Sequence, residues 1–153
     1  MRILIVDDHP IVASGCRTVF ADDPEIILLE ASDAESGERA FVAEKPDLCV
    51  IDINLPTVSG FELARRILTR DASARLIMFS MNDDPVFAAR AIDIGAKGYV
   101  SKTGDPNDLV EAVREVGNGG VYLPPAIARN VAFARPGFAQ NPLSKLTSRE
   151  MEI

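Results

Sequence analysis

Residues 48–52 read Leu48-Cys49-Val50-Ile51-Asp52, four apolar residues stopped by a carboxylate. An apolar run of this length without polar alternation is the pattern of a strand buried on both faces, as in a parallel sheet. The same construction recurs. Ile3-Leu4-Ile5-Val6 runs into Asp7-Asp8, Leu76-Ile77-Met78-Phe79 into Ser80, and Gly98-Tyr99-Val100-Ser101 into Lys102. Parallel strands bring their carboxyl ends to one edge of a sheet, so these polar residues converge on one crevice. Three carboxylates, a hydroxyl and an ammonium there suit a site that binds a divalent cation and accepts a phosphoryl group on Asp52.

Between the runs lie helical patterns. Strands are expected near 2–6, 26–30, 48–51, 75–79 and 98–100, and helices near 10–20, 34–44, 59–69, 84–94 and 106–116. This alternation describes an α/β doubly wound fold with a parallel sheet covered on both faces. Ser32 with Glu35 and Ser59 with Glu62 have capping-box spacing, while Asp84-Pro85 and Asp105-Pro106 place a cap before proline at the first helical position. Gly95 and Gly117 follow the last periodic apolar residues of their helices and read as stops.

The chain has 153 residues, enough for one packed domain with an appendage, and 47% hydrophobic against 25% charged residues, as globular chains have. Its net charge of -7 repels nucleic-acid backbones, so the chain as it stands is not expected to bind DNA strongly. No apolar run approaches a membrane span and the start has no signal-peptide pattern, which points to a cytoplasmic protein without membrane contact. Cys16 and Cys49 sit in apolar stretches and read as buried free thiols. From Asn118 onward Gly119-Gly120, Pro124-Pro125, Pro136-Gly137 and Asn141-Pro142 mark a linker with one short helix near 125–133. Thr147 and Glu150 then form the capping box of a new helix that runs to the last residue, as expected for a fragment of a longer protein.

Each site residue has a plainer alternative. One of Asp7 and Asp8 could simply cap the helix beginning at Pro10. Asp52, ending an equally apolar strand, supplies the third carboxylate that a purely structural account does not want, and a magnesium ion is the natural compensation for their repulsion. Lys102 could be a solvated loop lysine and Ser80 a strand-end hydroxyl. In the functional reading Lys102 is the point charge for a phosphoryl group, and Ser80 donates to one of its oxygens. His9, the single histidine, reads as a surface loop residue. Met78 and Phe79 read as core, and Met81 as a weak candidate for shielding the phosphoryl site from water.

Residues 1–117 resemble the receiver domain of two-component response regulators through Val6-Asp7-Asp8-His9-Pro10, Asp52-Ile53-Asn54-Leu55-Pro56 with Gly60, Ser80, and Gly98-Tyr99-Val100-Ser101-Lys102. Gly119-Gly120-Val121-Tyr122-Leu123-Pro124-Pro125 and Leu146-Thr147-Ser148-Arg149-Glu150 resemble the linker and the opening of the helix-turn-helix domain in the NarL/FixJ, or LuxR-type, subfamily. The resemblance implies a flavodoxin-like (βα)5 fold with strand order 2-1-3-4-5, a receiver over 1–117, a linker over 118–144, and over 145–153 the start of a helix-turn-helix domain whose recognition helix lies outside the chain. It also implies that Asp52 is the phosphoacceptor and that Asp8 and Asp52 ligate Mg2+ directly. Asp7 then acts through metal-bound water, Asn54 supplies a backbone carbonyl, Ser80 and Lys102 are the assisting hydroxyl and lysine, and Ser80 with Tyr99 form the switch. The implied partners are a sensor histidine kinase, a second copy of the chain, and promoter DNA reached only through the missing C-terminal domain. Many receivers carry proline after the lysine, where this chain has Thr103.

Three other classes compete. A phosphatase of the haloacid dehalogenase type also uses an aspartate nucleophile, but it needs an Asp-x-Asp spacing after the first strand, which Asp7-Asp8 does not match. A receiver-like module that is never phosphorylated would work by protein contact alone. A dinucleotide-binding enzyme lacks its glycine-rich turn here.

Overall fold

The computed structural model describes residues 1–81 and 84–123. Five strands, β1 (Arg2–Val6), β2 (Ile27–Ala31), β3 (Leu48–Asp52), β4 (Leu76–Ser80) and β5 (Gly98–Ser101), alternate with five helices, α1 (Pro10–Val19), α2 (Ala34–Glu44), α3 (Gly60–Arg70), α4 (Pro85–Ile94) and α5 (Asn107–Gly117). All pairings are parallel and the sheet order is β2-β1-β3-β4-β5, the expected flavodoxin-like arrangement. The register sets Val6 beside Ile51, Asp52 beside Phe79, and Ser80 beside Ser101.

The continuous apolar strands fill two cores because successive side chains point to opposite faces. Leu4, Val6, Cys49, Ile51, Leu76, Met78 and Tyr99 pack with residues of α2, α3 and α4 on one face. Ile3, Ile5, Leu48, Val50, Ile77, Phe79 and Val100 pack with α1 and α5 on the other. The edge strand β2 departs from the expected double burial, since Ile27 is 52% exposed.

Several helix ends differ by a residue from the sequence expectation. The capping box of α2 is Asp33 with Ser36, not Ser32 with Glu35: Ser36 N–H donates to Asp33 Oδ1 at 2.8 Å and Asp33 N–H to Ser36 Oγ at 3.3 Å. A carboxylate is the stronger acceptor for the exposed amides of a helix start. Ser59 does cap α3 through Glu62 N–H, but the Glu62 side chain turns to Arg65 and Arg66, leaving the box half formed. Asp84 caps α4, whose first residue is Pro85, as expected. Asp105 accepts from Asn107 N–H while Pro106 is the cap residue, so α5 starts one position late. Gly95 takes the left-handed conformation (φ 105) at the end of α4. Gly117 stays helical, and Gly119 has the positive φ (92) instead.

The chain after α5 returns to the sheet. Tyr122 bridges Gly98 in parallel: Tyr99 N–H donates to the Tyr122 carbonyl at 3.1 Å, and Tyr122 N–H donates to the Lys97 carbonyl at 2.9 Å. The sequence reading took this stretch as plain linker. The helices expected near 125–133 and from Thr147 lie outside the described residues.

Candidate functional site

Two strand ends and one turn build the acidic cluster and its ammonium. β1 delivers Asp7 and Asp8, β3 delivers Asp52, and the turn after β5 delivers Lys102. The Asp7 and Asp52 side chains are 1% and 2% exposed and that of Lys102 is 5% exposed. The Lys102 ammonium stands 2.7 Å from Asp7 Oδ2 and 3.2 Å from Asp52 Oδ2. Its other neighbour is the Phe79 ring, 5.4 Å from nitrogen to centroid, so a residue read as core only also lines the ammonium's side of the site. Lys102 is placed by its backbone, whose N–H donates to the Ser80 carbonyl at 2.7 Å. Thr103, the residue in the position where many receivers have proline, is tied into the same turn by Ser101 Oγ, 2.8 Å from Thr103 Oγ1.

Each of the two buried carboxylates is oriented by a backbone amide two residues on. His9 N–H donates to Asp7 Oδ1 at 2.8 Å and Asn54 N–H to Asp52 Oδ1 at 3.0 Å. Asp8, with a 34% exposed side chain, faces the open side of the crevice. The loop after Asp52 turns at Thr57 (φ 70) and returns at Gly60, whose N–H donates to the Ile53 carbonyl at 2.8 Å. A Cβ at Gly60 would lie 2.0 Å from the Asp52 backbone oxygen, so only glycine allows α3 to start this close to the acid.

The donor set fits a divalent cation. Asp7 Oδ2 and Asp52 Oδ2 are buried and hold no hydrogen bond; the ammonium approaches them as a charge and not as an aligned donor. Three carboxylates against one ammonium leave two negative charges in the cluster. An ion with hard oxygen preferences balances that excess and gives the buried oxygens a partner. The field of the site reaches beyond it: burial, and then the charges of Asp7 and Glu30, push the Cys16 thiol up to about 11.

Ser80 is 1% exposed at the end of β4, next to Asp52's neighbour Phe79, and Tyr99 is fully buried with its ring turned into the core. Asn54 is exposed on the loop that follows Asp52. Met81 is 61% exposed. His9 is exposed as expected, but its ring does not point away: Nδ1 lies 3.0 Å from Asp7 Oδ1, 3.2 Å from Asp8 Oδ1 and 3.8 Å from Asp52 Oδ2. Asp7, Asp8, His9 and Asp52 thus bring one donor atom each within 4.8 Å of one another. Adjacency to Asp8 was the one sequence signal for this, and the ring direction is a tertiary property.

Comparison with known proteins agrees with this geometry. Residues 3–114 match the model of the response regulator receiver domain. The transcriptional regulatory protein DegU of Brevibacillus brevis is 32% identical over the whole of this chain and 72% of its own length. The methanol utilization control regulatory protein MoxX of Paracoccus denitrificans is 34% identical over the whole chain and 70% of its own length. A crystal structure of a LuxR-family two-component response regulator from Aurantimonas sp. SI85-9A1 superimposes with a TM-score of 0.83 at 38% identity, covering 88% of this chain and 97% of that one. Among the described residues no helix is long and apolar enough to cross a membrane. The protein belongs to the response regulator receiver family, in its LuxR-type branch, and is a signalling protein rather than a turnover enzyme.

Proposed function

We propose that Asp52 is the phosphoacceptor of this receiver. The observation that carries the reading is the Lys102 ammonium shared between Asp7 Oδ2 and Asp52 Oδ2 inside a cluster with excess negative charge. An Asp52 carboxylate oxygen attacks the phosphorus of a phosphohistidine on a sensor kinase. The new O–P bond forms as the N–P bond breaks, and the imidazole leaves with its electron pair and takes up a proton. Asp8, Asp52 and the Asn54 carbonyl would hold Mg2+ directly, with Asp7 acting through its water. The bound ion neutralises phosphoryl oxygens and so lowers the repulsion an anionic nucleophile meets. Lys102 pairs with the incoming phosphoryl group, and Ser80 donates its hydroxyl to it.

The acyl phosphate adds a charge of about -2 to a buried edge. That charge draws Ser80 and Lys102 toward Asp52, opens space for Tyr99 and shifts a pre-existing equilibrium in the surface formed by α4 and α5. This surface is the proposed contact with a second copy of the chain. We assign residues 118–144 to a linker and 145–153 to the start of a helix-turn-helix domain, through which promoter DNA is reached.

The test is the intact mass of the wild type and of Asp52→Asn after incubation with acetyl phosphate, with and without magnesium. One phosphoryl adduct that requires magnesium and is lost in the variant supports the reading. Absence of an adduct on the wild type refutes it in favour of a module acting by protein contact alone.

A further inference from the structure

β5 is the last strand in the sheet order, yet its outer edge is not bare. After α5 the chain turns at Gly119 (φ 92) and comes back parallel to β5, with Tyr122 bridging Gly98. Two backbone hydrogen bonds hold it there: Tyr122 N–H donates to the Lys97 carbonyl at 2.9 Å, and Tyr99 N–H to the Tyr122 carbonyl at 3.1 Å. The side chains alternate as a strand's do. Tyr122 packs with the core under α1 and α5, and Leu123 with the core on the opposite face of the sheet. Residues 120–123 thus form a strap, half-buried along its length.

The backbone partner of this strap is the candidate switch residue. Tyr99 is fully buried, and any displacement of its backbone stretches the bond to Tyr122 and loosens the strap. An unpaired strand edge is a template for another chain. With the strap away, β5 offers such an edge between α4 and α5, which both pack against it. These helices carry exposed side chains of both signs, Arg90 and Asp93 on α4 and Glu111 and Arg114 on α5. Both signs on one surface suit a contact in which the same patch of two copies meets itself. We propose that residues 120–123 are an autoinhibitory strap: docked, they occupy the β5 edge and keep a second copy off the surface formed by α4 and α5, and displacement of Tyr99 on phosphorylation releases them and admits that copy. The inference rests on the phosphoryl switch of Asp52, Ser80 and Tyr99. Strap and second copy compete for one edge, so association weakens docking by the same factor by which docking weakens association.

The test is sedimentation equilibrium of the 153-residue chain, with amide hydrogen exchange read at residue 122, on the wild type, Tyr122→Pro and Tyr122→Ala. Beryllofluoride with magnesium serves as the phosphoryl mimic and is added or left out. Proline removes the N–H donated to Lys97, and alanine removes the packed ring. The mimic should tighten association of the wild type about tenfold or more and speed exchange of the Tyr122 amide, and both variants should associate that tightly without it. Association of the mimic-bound wild type with Tyr122 as protected as before overturns the strap and leaves the phosphoryl switch standing. Variants that fold, as their beryllofluoride binding shows, yet associate no more tightly than the wild type overturn it as well. A wild type that binds the mimic and stays monomeric with the strap docked overturns the strap and the switch together. Because the wild type alone can overturn the strap, misfolding of a variant does not rescue the proposal.

Discussion

Lys102 and Asp7 form a buried ion pair, Nζ to Oδ2 at 2.7 Å, that joins the turn after the last strand of the sheet to the end of its first. The pair spans the β3 and β4 positions that lie between them, and Asp52 Oδ2 at 3.2 Å occupies the middle. The end of the first strand and the candidate phosphoacceptor are therefore linked by one ammonium.

Removing that ammonium strands two buried carboxylates. Lys102→Met should cost about 3–5 kcal/mol in urea unfolding, the size expected when one partner of a buried pair is lost. A divalent ion should restore part of the loss. Asp52→Asn, which relieves like-charge repulsion instead, should stabilise the metal-free protein by on the order of 1 kcal/mol. If Lys102→Met were neutral without metal, the ammonium would not be compensating the cluster.

Two glycines should respond in opposite senses to alanine. At Gly60 the added carbon meets the Asp52 backbone oxygen at 2.0 Å, and neither strand nor helix start can yield cheaply. Gly60→Ala should destabilise by about 1–3 kcal/mol, as overpacking does, and should slow phosphorylation by acetyl phosphate through displacement of Asp52. A Cβ at Gly15, inside α1, would meet nothing within 4 Å. Gly15→Ala should stabilise by about 0.5–1 kcal/mol through helix propensity. Thermal unfolding of the two variants checks the contrast.

The two thiols set a pH dependence. Burial pushes Cys49 from the ordinary 9.0 up to about 12, and burial with Asp7 and Glu30 pushes Cys16 up to about 11. Both are neutral in the folded protein at pH 8, so iodoacetamide should label them far more slowly in the native state than in urea. Above pH 9 the unfolded chain holds fewer protons at these groups than the native one. Their contribution to stability is therefore full below pH 9 and declines as pH rises toward 11 and 12. A Cys16→Ala, Cys49→Ala double variant should show a flatter stability profile across that window.

The return of the chain at Tyr122 should protect the β5 edge. Ending the chain at Gly120 removes the acceptor for Tyr99 N–H and exposes a strand edge, which should cost about 1–3 kcal/mol. Amide exchange at Tyr99 should speed up correspondingly. Burial, and then the charges of Asp108 and Glu111, push the Tyr122 hydroxyl up to about 12, so its phenolate absorbance should rise only near that pH. An ordinary value near 10 would mean that the segment does not dock.

Most of the site was legible because its signals are local. Apolar runs ending in Asp7, Asp52, Ser80 and Lys102 mark strand ends, and parallel pairing alone brings strand ends together. The shift of the α2 cap from Ser32 to Asp33 was not legible, since adjacent polar residues all satisfy the cap pattern and packing of the helix against β1 and α3 chooses among them. The same holds for Gly117 and Gly119, where the return of the chain to β5 decides which glycine takes the positive φ.

The order of apolar runs, caps and strand-end acids along the chain was enough by itself to determine a doubly wound parallel sheet and the carboxylates at its edge, because strand burial and helix periodicity are short-range patterns. Only the tertiary structure decided that Lys102 lies between Asp7 and Asp52, that Tyr99 is turned inward, that Tyr122 closes the β5 edge, and that the His9 ring leans over the acids. Each of these depends on how residues tens of positions apart meet in space, where side-chain direction and the burial of charge are settled by neighbours that no local pattern names.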